Sequence, residues 1–306
     1  MVIGGAEDKL DERVILTRFA KLAGGPDAHV VVISTASSMG DAATELYREV
    51  FGRLGIGRVS GLRPTTREEA NDEAAAAVLA DATGVYLTGG NQLRLSSIVG
   101  GTALGSAIAE AHARGAVVAG TSAGASAVST HMVAFGASGA TPKHRMVQIS
   151  AGLGLVRNVV VDQHFEQRTR LGRLLAVVAQ SPSLIGLGLD EDTAAVIHAD
   201  ETMEVIGRGA ATIVDGSKIV TDAFQTKGYR PMMVSGAILH SIPSGYRFDL
   251  RSRSLMPYPV EVHRGAPPRE PATRRLRQLS REAAVEGADS FVIDRRLARE
   301  EREASE

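Results

Sequence analysis

Short apolar runs alternate with helix-length amphipathic stretches through the first two-thirds of this 306-residue chain, and that rhythm restricts the fold more than any other feature. The expected strands are residues 30–34, 59–62, 84–88, 116–120, 158–162 and 184–189. Between them lie expected helices at 41–54, 67–80, 92–114, 123–131 and 166–179. The helix near Arg67 has Thr65 and Thr66 ahead of it and Glu68 and Glu69 in its first turn, the residue types that satisfy and complement a helix N-terminus. Strand–helix alternation of this kind predicts an α/β fold, a mainly parallel sheet with helices on both faces. From Ala194 the pattern shortens to strands at 194–198, 203–207, 211–214 and 234–239, a β-rich flank of antiparallel hairpins that extends or covers the sheet.

The end of the chain reads differently. Gly265-Ala266-Pro267-Pro268-Arg269-Glu270-Pro271 has a linker's composition, and residues 273–284 form an expected basic helix with Leu276 and Leu279 on one side. The expected organisation is therefore an α/β domain over residues 1–263 and a charged linker and helical tail over 264–306, a solvated appendage.

Open parallel sheets bind ligands at the carboxyl ends of their strands. Unusual polar sequences fall at those ends: Gly4-Gly5-Ala6-Glu7-Asp8-Lys9, Gly89-Gly90-Asn91-Gln92, Gly120-Thr121-Ser122-Ala123-Gly124, Asp162-Gln163-His164 and Asp190-Glu191-Asp192-Thr193. The third is a G-x-S-x-G between a strand and a helix. That setting puts the serine on a tight turn with its hydroxyl outward, and the glycines avoid collisions with neighbouring backbone. The chain has no Cys, which removes disulfides, thiolate metal sites and a cysteine nucleophile and leaves Ser122 as the nucleophile candidate.

A serine hydroxyl needs a base to take its proton and a third group to hold that base. Among eight histidines, His164 follows a strand end, whereas His29, His112, His131, His198, His240 and His263 sit where a packed or surface imidazole is expected and His144 lies in a loop. Asp190, Glu191 and Asp192 all follow one strand, and alternation does not choose among them. Oxyanion donors are expected from the Ala123 amide and from Gly90 in the Gly89-Gly90-Asn91 turn. In an α/β-hydrolase the acid precedes the histidine, so the order here sets this chain apart from that class.

These blocks, together with Phe165, Arg168, Arg170 and Arg173, resemble cyanophycinase, a serine exopeptidase family related to the aspartyl dipeptidases (peptidase E), in order from about Val2 to His263. The resemblance implies a flavodoxin-like or class I amidotransferase-like sheet, with Ser122 as nucleophile, His164 as base and Glu191 as acid. It also implies substrate contacts from Gln92, Asp162, Gln163, Arg168, Arg170 and Arg173, no metal or other cofactor, and a homodimer. The implied substrate is cyanophycin, a polyaspartate with arginine on each side-chain carboxyl, and the implied product is the β-Asp-Arg dipeptide. Arginine forks suit the carboxylates of such a polymer, and Asp162, Glu7 or Asp8 suit its guanidinium groups. On one ideal helix Arg170 and Arg173 share a face while Arg168 points elsewhere. Aspartyl or isoaspartyl dipeptidase activity, or binding without catalysis in the same cleft, are the competing expectations.

With 44% hydrophobic residues, 23% charged residues and a net charge of −1, nothing marks nucleic acid or a membrane surface as a partner. Residues 1–9 carry no secretory pattern and no apolar run reaches bilayer length, so the expected location is the cytoplasm.

Overall fold

A computed structural model describes residues 1–257 and 273–284. The boundary at His263, the linker and the last charged stretch of the sequence lie outside the described residues. Five parallel strands form the centre: β1 (Val2–Ile3), β2 (His29–Ile33), β3 (Arg58–Leu62), β4 (Gly84–Leu87) and β5 (Val117–Thr121), in the order β1-β5-β4-β2-β3. The connecting helices are α1 (Val14–Ala23), α2 (Asp41–Arg53), α3 (Arg67–Ala70), α4 (Glu73–Ala77), α5 (Gln92–Val99) and α6 (Ala103–Ala113), and α7 (Ala123–Ala127) follows β5.

Alternate strand residues serve opposite faces of this sheet. Val31, Ile33, Val85 and Leu87 pack into one cluster with Leu95, Val99, Leu104 and Ile108 from α5 and α6. Val30, Val32 and Tyr86 pack into another with Ile15, Leu16 and Phe19 of α1 and Leu46, Tyr47, Val50 and Phe51 of α2. Both faces are therefore helix-covered, as the alternation of strands and helices requires. The α1 helix was not among the expected elements, although Ile15, Leu16, Phe19, Ala20 and Ala23 have the spacing of a buried helical stripe.

The second half departs from the single-sheet expectation. After α7 come β6 (His131–Gly136) and β7 (Val147–Ala151), an antiparallel hairpin with an irregularity between Val133 and Phe135. The helix expected over 123–131 thus stops at Ala127. Next are β8 (Val159–Gln163), α8 (Leu171–Gln180), β9 (Ile185–Leu189), β10 (Thr193–Ile197), β11 (Thr202–Gly207), β12 (Ala210–Asp215), β13 (Val220–Thr221), β14 (Val234–Ser235), β15 (Ile238–Pro243), β16 (Arg247–Asp249) and β17 (Ser254–Leu255). Strands β8 and β9 are parallel but belong to a separate four-stranded sheet, β15-β12-β9-β8. Meanwhile β10 and β11 extend the central sheet antiparallel beyond β1, followed by β16 and β17.

Local chemistry explains two further differences. The stretch 67–80 divides because Asp72 accepts from the Ala74 amide and starts a new helix after Thr66 has capped the first. The stretch 92–114 divides at Gly100-Gly101, after which Thr102 caps α6 through the Gly105 amide. No helix among the described residues is long and apolar enough to cross a membrane.

Candidate active site

The two sheets meet at their strand ends through residues 4 and 5. Gly4 donates its amide to the Thr193 carbonyl at 2.8 Å, His164 donates its amide to the Gly4 carbonyl at 2.8 Å, and Asp192 donates to the Gly5 carbonyl at 2.9 Å. The ends of β1, β8 and β9 and the start of β10 are thereby pinned together. Gly5 is required here: at φ +97° a Cβ would lie 2.4 Å from the Cε1 and Nε2 atoms of His164.

Ser122 occupies the turn from β5 into α7 with φ 51° and ψ −112°, a backbone state that a non-glycine residue holds only when its surroundings impose it. The flanking packing does so. A Cβ on Gly120 would lie 2.3 Å from the Gly124 backbone, and one on Gly124 would lie 2.4 Å from the Leu87 carbonyl oxygen. Strand, elbow and helix thus touch backbone to backbone. His164, Ala6 and Asp192 also have positive φ, so the strain gathers around one point.

From Ser122 a short hydrogen-bonded line runs outward. Its Oγ lies 2.9 Å from His164 Nε2, and His164 Nδ1 lies 2.6 Å from Glu191 Oε1. The geometry separates the three acids that the pattern left equivalent. Asp190 accepts from the Glu166 and Ala210 amides at 3.2 and 3.1 Å, and Asp192 accepts from the Asp8 amide at 2.9 Å. Only Glu191 of the three reaches the imidazole. Burial holds the His164 pKa below its usual value, with the Arg168 and Arg170 cations acting the same way against the opposing Glu191. The hydrogen bond from His164 keeps the Glu191 carboxyl below its usual range. The ground state is therefore a neutral imidazole whose Nδ1–H donates to an ionised carboxylate and whose Nε2 accepts from the Ser122 hydroxyl.

The expected oxyanion groups flank this line. Gly90 and Ser122 line one cavity, and Gly89 packs so that a Cβ on it would lie 3.4 Å from Ser122 Cβ. Ala123 is the first residue of α7, so its amide has no acceptor within the helix.

The residues expected at the substrate sort differently. Gln92 is half-buried, and its amide donates to the Val133 and Ala134 carbonyls at 3.1 and 2.6 Å. Asp162 is fully buried and receives Arg173 through two bonds, Nε at 2.6 Å and Nη2 at 2.5 Å. Arg170 Nη1 lies 3.4 Å from Asp162 and donates to the Gln163 side chain at 2.9 Å, while Arg173 Nη1 donates to the Gly136 carbonyl at 2.9 Å. Arg170 and Arg173 are each 2% exposed. They brace β8 and β6 behind His164 instead of lying at an open mouth, and the stretch 166–179 is helical only from Leu171. Arg168 is buried as well, with its cation near enough to His164 and Glu191 to affect both.

Glu7 and Asp8 are engaged internally too. Glu7 accepts from Thr121 Oγ1 at 2.5 Å, Tyr47 at 2.6 Å and Tyr86 at 3.0 Å, and pairs with Lys9 at 2.9 Å. Burial pushes its carboxyl up, but Lys9 and these donors outweigh that and bring the pKa to about 2. Asp8 accepts from the Leu10, Asp11 and Arg13 amides and holds the turn before α1. Sequence reasoning did not separate such buried carboxylates from binding ones. The short acid–lysine spacing of Glu7 and Lys9 at a strand end was the available hint of a pair. Among the described residues no group of three or more His, Asp or Glu side chains is arranged to hold a metal ion.

Residues 1–206 match the family model described as peptidase family S51. Cyanophycinases from Trichormus variabilis and from a Nostoc species are each 39% identical over 266 residues, covering 86% of this chain and 88% of theirs. The cyanophycinase of Synechococcus elongatus is 38% identical over 257 residues, 83% of this chain and 80% of its own. Among solved structures, a peptidase from an acI-B1 actinobacterium superposes with a TM-score of 0.57 at 24% identity over 79% of this chain and 95% of its own, a likeness of fold.

Proposed function

Because this chain belongs to peptidase family S51, we propose that it is a serine exopeptidase that shortens cyanophycin by releasing β-Asp-Arg dipeptides. The observation that carries the reading is the unbroken line from Ser122 Oγ through His164 to Glu191, at 2.9 and 2.6 Å.

In this reaction His164 Nε2 takes the hydroxyl proton as Ser122 Oγ bonds to the carbonyl carbon of the scissile amide. The carbonyl oxygen gains the electron pair and is met by the Gly90 and Ala123 amides. The imidazolium, held by Glu191, passes its proton to the nitrogen of the leaving aspartate as the C–N bond breaks. Water then repeats the sequence on the Ser122 ester, its proton going to His164 and finally back to Ser122 Oγ.

For the substrate, we assign Arg168 and Gln92 to direct contact. The polymer carries a free carboxylate on every arginine branch, and Arg168 is the cation that already acts on the His164–Glu191 pair. Asp162, Gln163, Arg170 and Arg173 are assigned to support of that contact, since their polar atoms bond to one another. The reading includes action in the cytoplasm as a homodimer without a nucleic-acid partner; the net charge of −1 is in keeping with the last point.

The test is hydrolysis of cyanophycin beside Asp-X and β-Asp-X dipeptides, with Ser122→Ala as control. β-Asp-Arg released from the polymer by the native chain alone supports the proposal. Release from dipeptides only would replace the polymer by an aspartyl or isoaspartyl dipeptide as substrate.

A further inference from the structure

One described segment takes no part in the chemistry above: the helix at residues 274–284, which lies beyond the residues matched by the family model. Its Arg274, Arg275, Arg277 and Arg281 are exposed, as expected of a solvated tail. Its apolar side is not. Leu276 is fully buried and Leu279 is 8% exposed. Three residues apart on one face, they join the cluster built by α1, α2 and their side of the central sheet, with Ala283 packed against it. Thr273 fixes the start of the helix, accepting from the Leu276 amide at 3.0 Å and donating to Glu49 of α2 at 3.0 Å.

The other end of this helix reaches the nucleophile. Ala283 and Ala284 line the same cavity as Ser122, His164, Gly90 and Lys9. With the helix seated, that cavity measures about 30 Å³. This is about the volume of one water molecule in the liquid. Sites that hold small organic ligands run to about 300–1,000 Å³. Ser122 itself is only 9% exposed. A peptide chain has no room against Ser122 on this side while the helix is down.

We propose that residues 274–284 form a lid, seated by Leu276 and Leu279, that lifts to admit an extended peptide substrate to Ser122. The docked and lifted states are then two populations, and the apolar seat sets their ratio. The proposal rests on Ser122 as the reacting side chain, yet its test does not depend on hydrolysis.

The chain has no cysteine, so Ser122→Cys introduces a single thiol at the covered position. The rate at which 5,5′-dithiobis(2-nitrobenzoate) labels that thiol reads access directly. In the full chain, Leu276→Asp added to Ser122→Cys is expected to speed labelling by about tenfold or more, equivalent to about 1.4 kcal/mol removed from the docked state. Equal rates would overturn the lid. Circular dichroism checks the fold, and if Leu276→Asp fails to fold, Leu279→Ala decides: faster labelling supports the lid and an unchanged rate overturns it. Reaction of native Ser122 with a serine-directed phosphonate tests the nucleophile separately. An inert serine with lid-dependent thiol labelling would sink the mechanism alone, and a reactive serine with lid-independent labelling would sink the lid alone.

Discussion

Two carboxylates close behind the nucleophile face opposite conditions. Asp162, on β8, is fully buried and gripped by Arg173 through two bonds, with Arg170 close by. Glu191, just past β9, has a side chain 38% exposed and makes one short bond to His164. Burial pushes the Asp162 carboxyl up, but the Arg173 and Arg170 cations and the Gln163 amide outweigh it and hold the group ionised. Such a pair fixes geometry, because any change of charge there would strand an ion in a dry interior. The His164–Glu191 pair must change charge in every turnover, and water at Glu191 allows it. Rigidity is placed one step away from the proton, and solvent where the proton moves.

That contrast can be broken at several points. Ser122→Ala or His164→Ala is expected to lower the hydrolytic rate by about 10⁴-fold or more while the melting temperature stays near that of the native chain. Steady-state kinetics beside thermal melts check this, and a variant with near-native turnover would remove the relay from the mechanism. Asp162→Asn should act the other way round. It removes the buried Asp162 carboxylate that Arg170 and Arg173 bond to and is expected to cost about 3–5 kcal/mol of stability by denaturant titration. A loss below about 1 kcal/mol would mean that the buried cluster is not what braces β8.

Glu191→Gln is expected to fall between these, lowering kcat by about 10²-fold, the lower end of the range for a proton-transfer partner, with little change in stability. A stability loss without a rate loss would reverse the roles assigned to the two carboxylates. The smallest effect is in pH. Activity needs neutral His164, so kcat/KM rises as the imidazole loses its proton. Burial and the nearby arginines lower that pKa, which places the midpoint of the acid limb below the ordinary histidine value of 6.5. Glu191→Gln removes the influence that raises it and should move the limb lower still. A midpoint above 6.5 would contradict the proposed environment.

The same contrast explains what could be read from the sequence. Ser122 and His164 were legible because each follows an apolar run, and strand ends converge in an α/β fold. Glu191 was not separable from Asp190 and Asp192 by pattern, since only the Gly4-Gly5 crossing of the two sheets decides which acid meets the imidazole. Arg170 and Arg173 read as substrate contacts because their buried partner Asp162 lies on another element, and no local pattern pairs them with it. The β6–β7 hairpin escaped notice although Val147, Ile149 and Ala151 alternate with Gln148 and Ser150 in β7, because β6 shows no such alternation and β7 is a short, largely exposed strand. The two-residue β1 is short for a buried strand and was not among the expected elements, yet it pairs with β5 on one side and β10 on the other, so its neighbours supply what its length does not. At the far end, Leu276 and Leu279 were visible as a pair, but nothing local says that their helix seats beside the nucleophile.

The most direct test of the central claim is the intact mass of the chain after treatment with a fluorophosphonate. One adduct on Ser122, absent from Ser122→Ala and greatly slowed in His164→Ala, is the predicted result. No adduct, or one whose rate is indifferent to His164, would contradict the relay from Ser122 through His164 to Glu191.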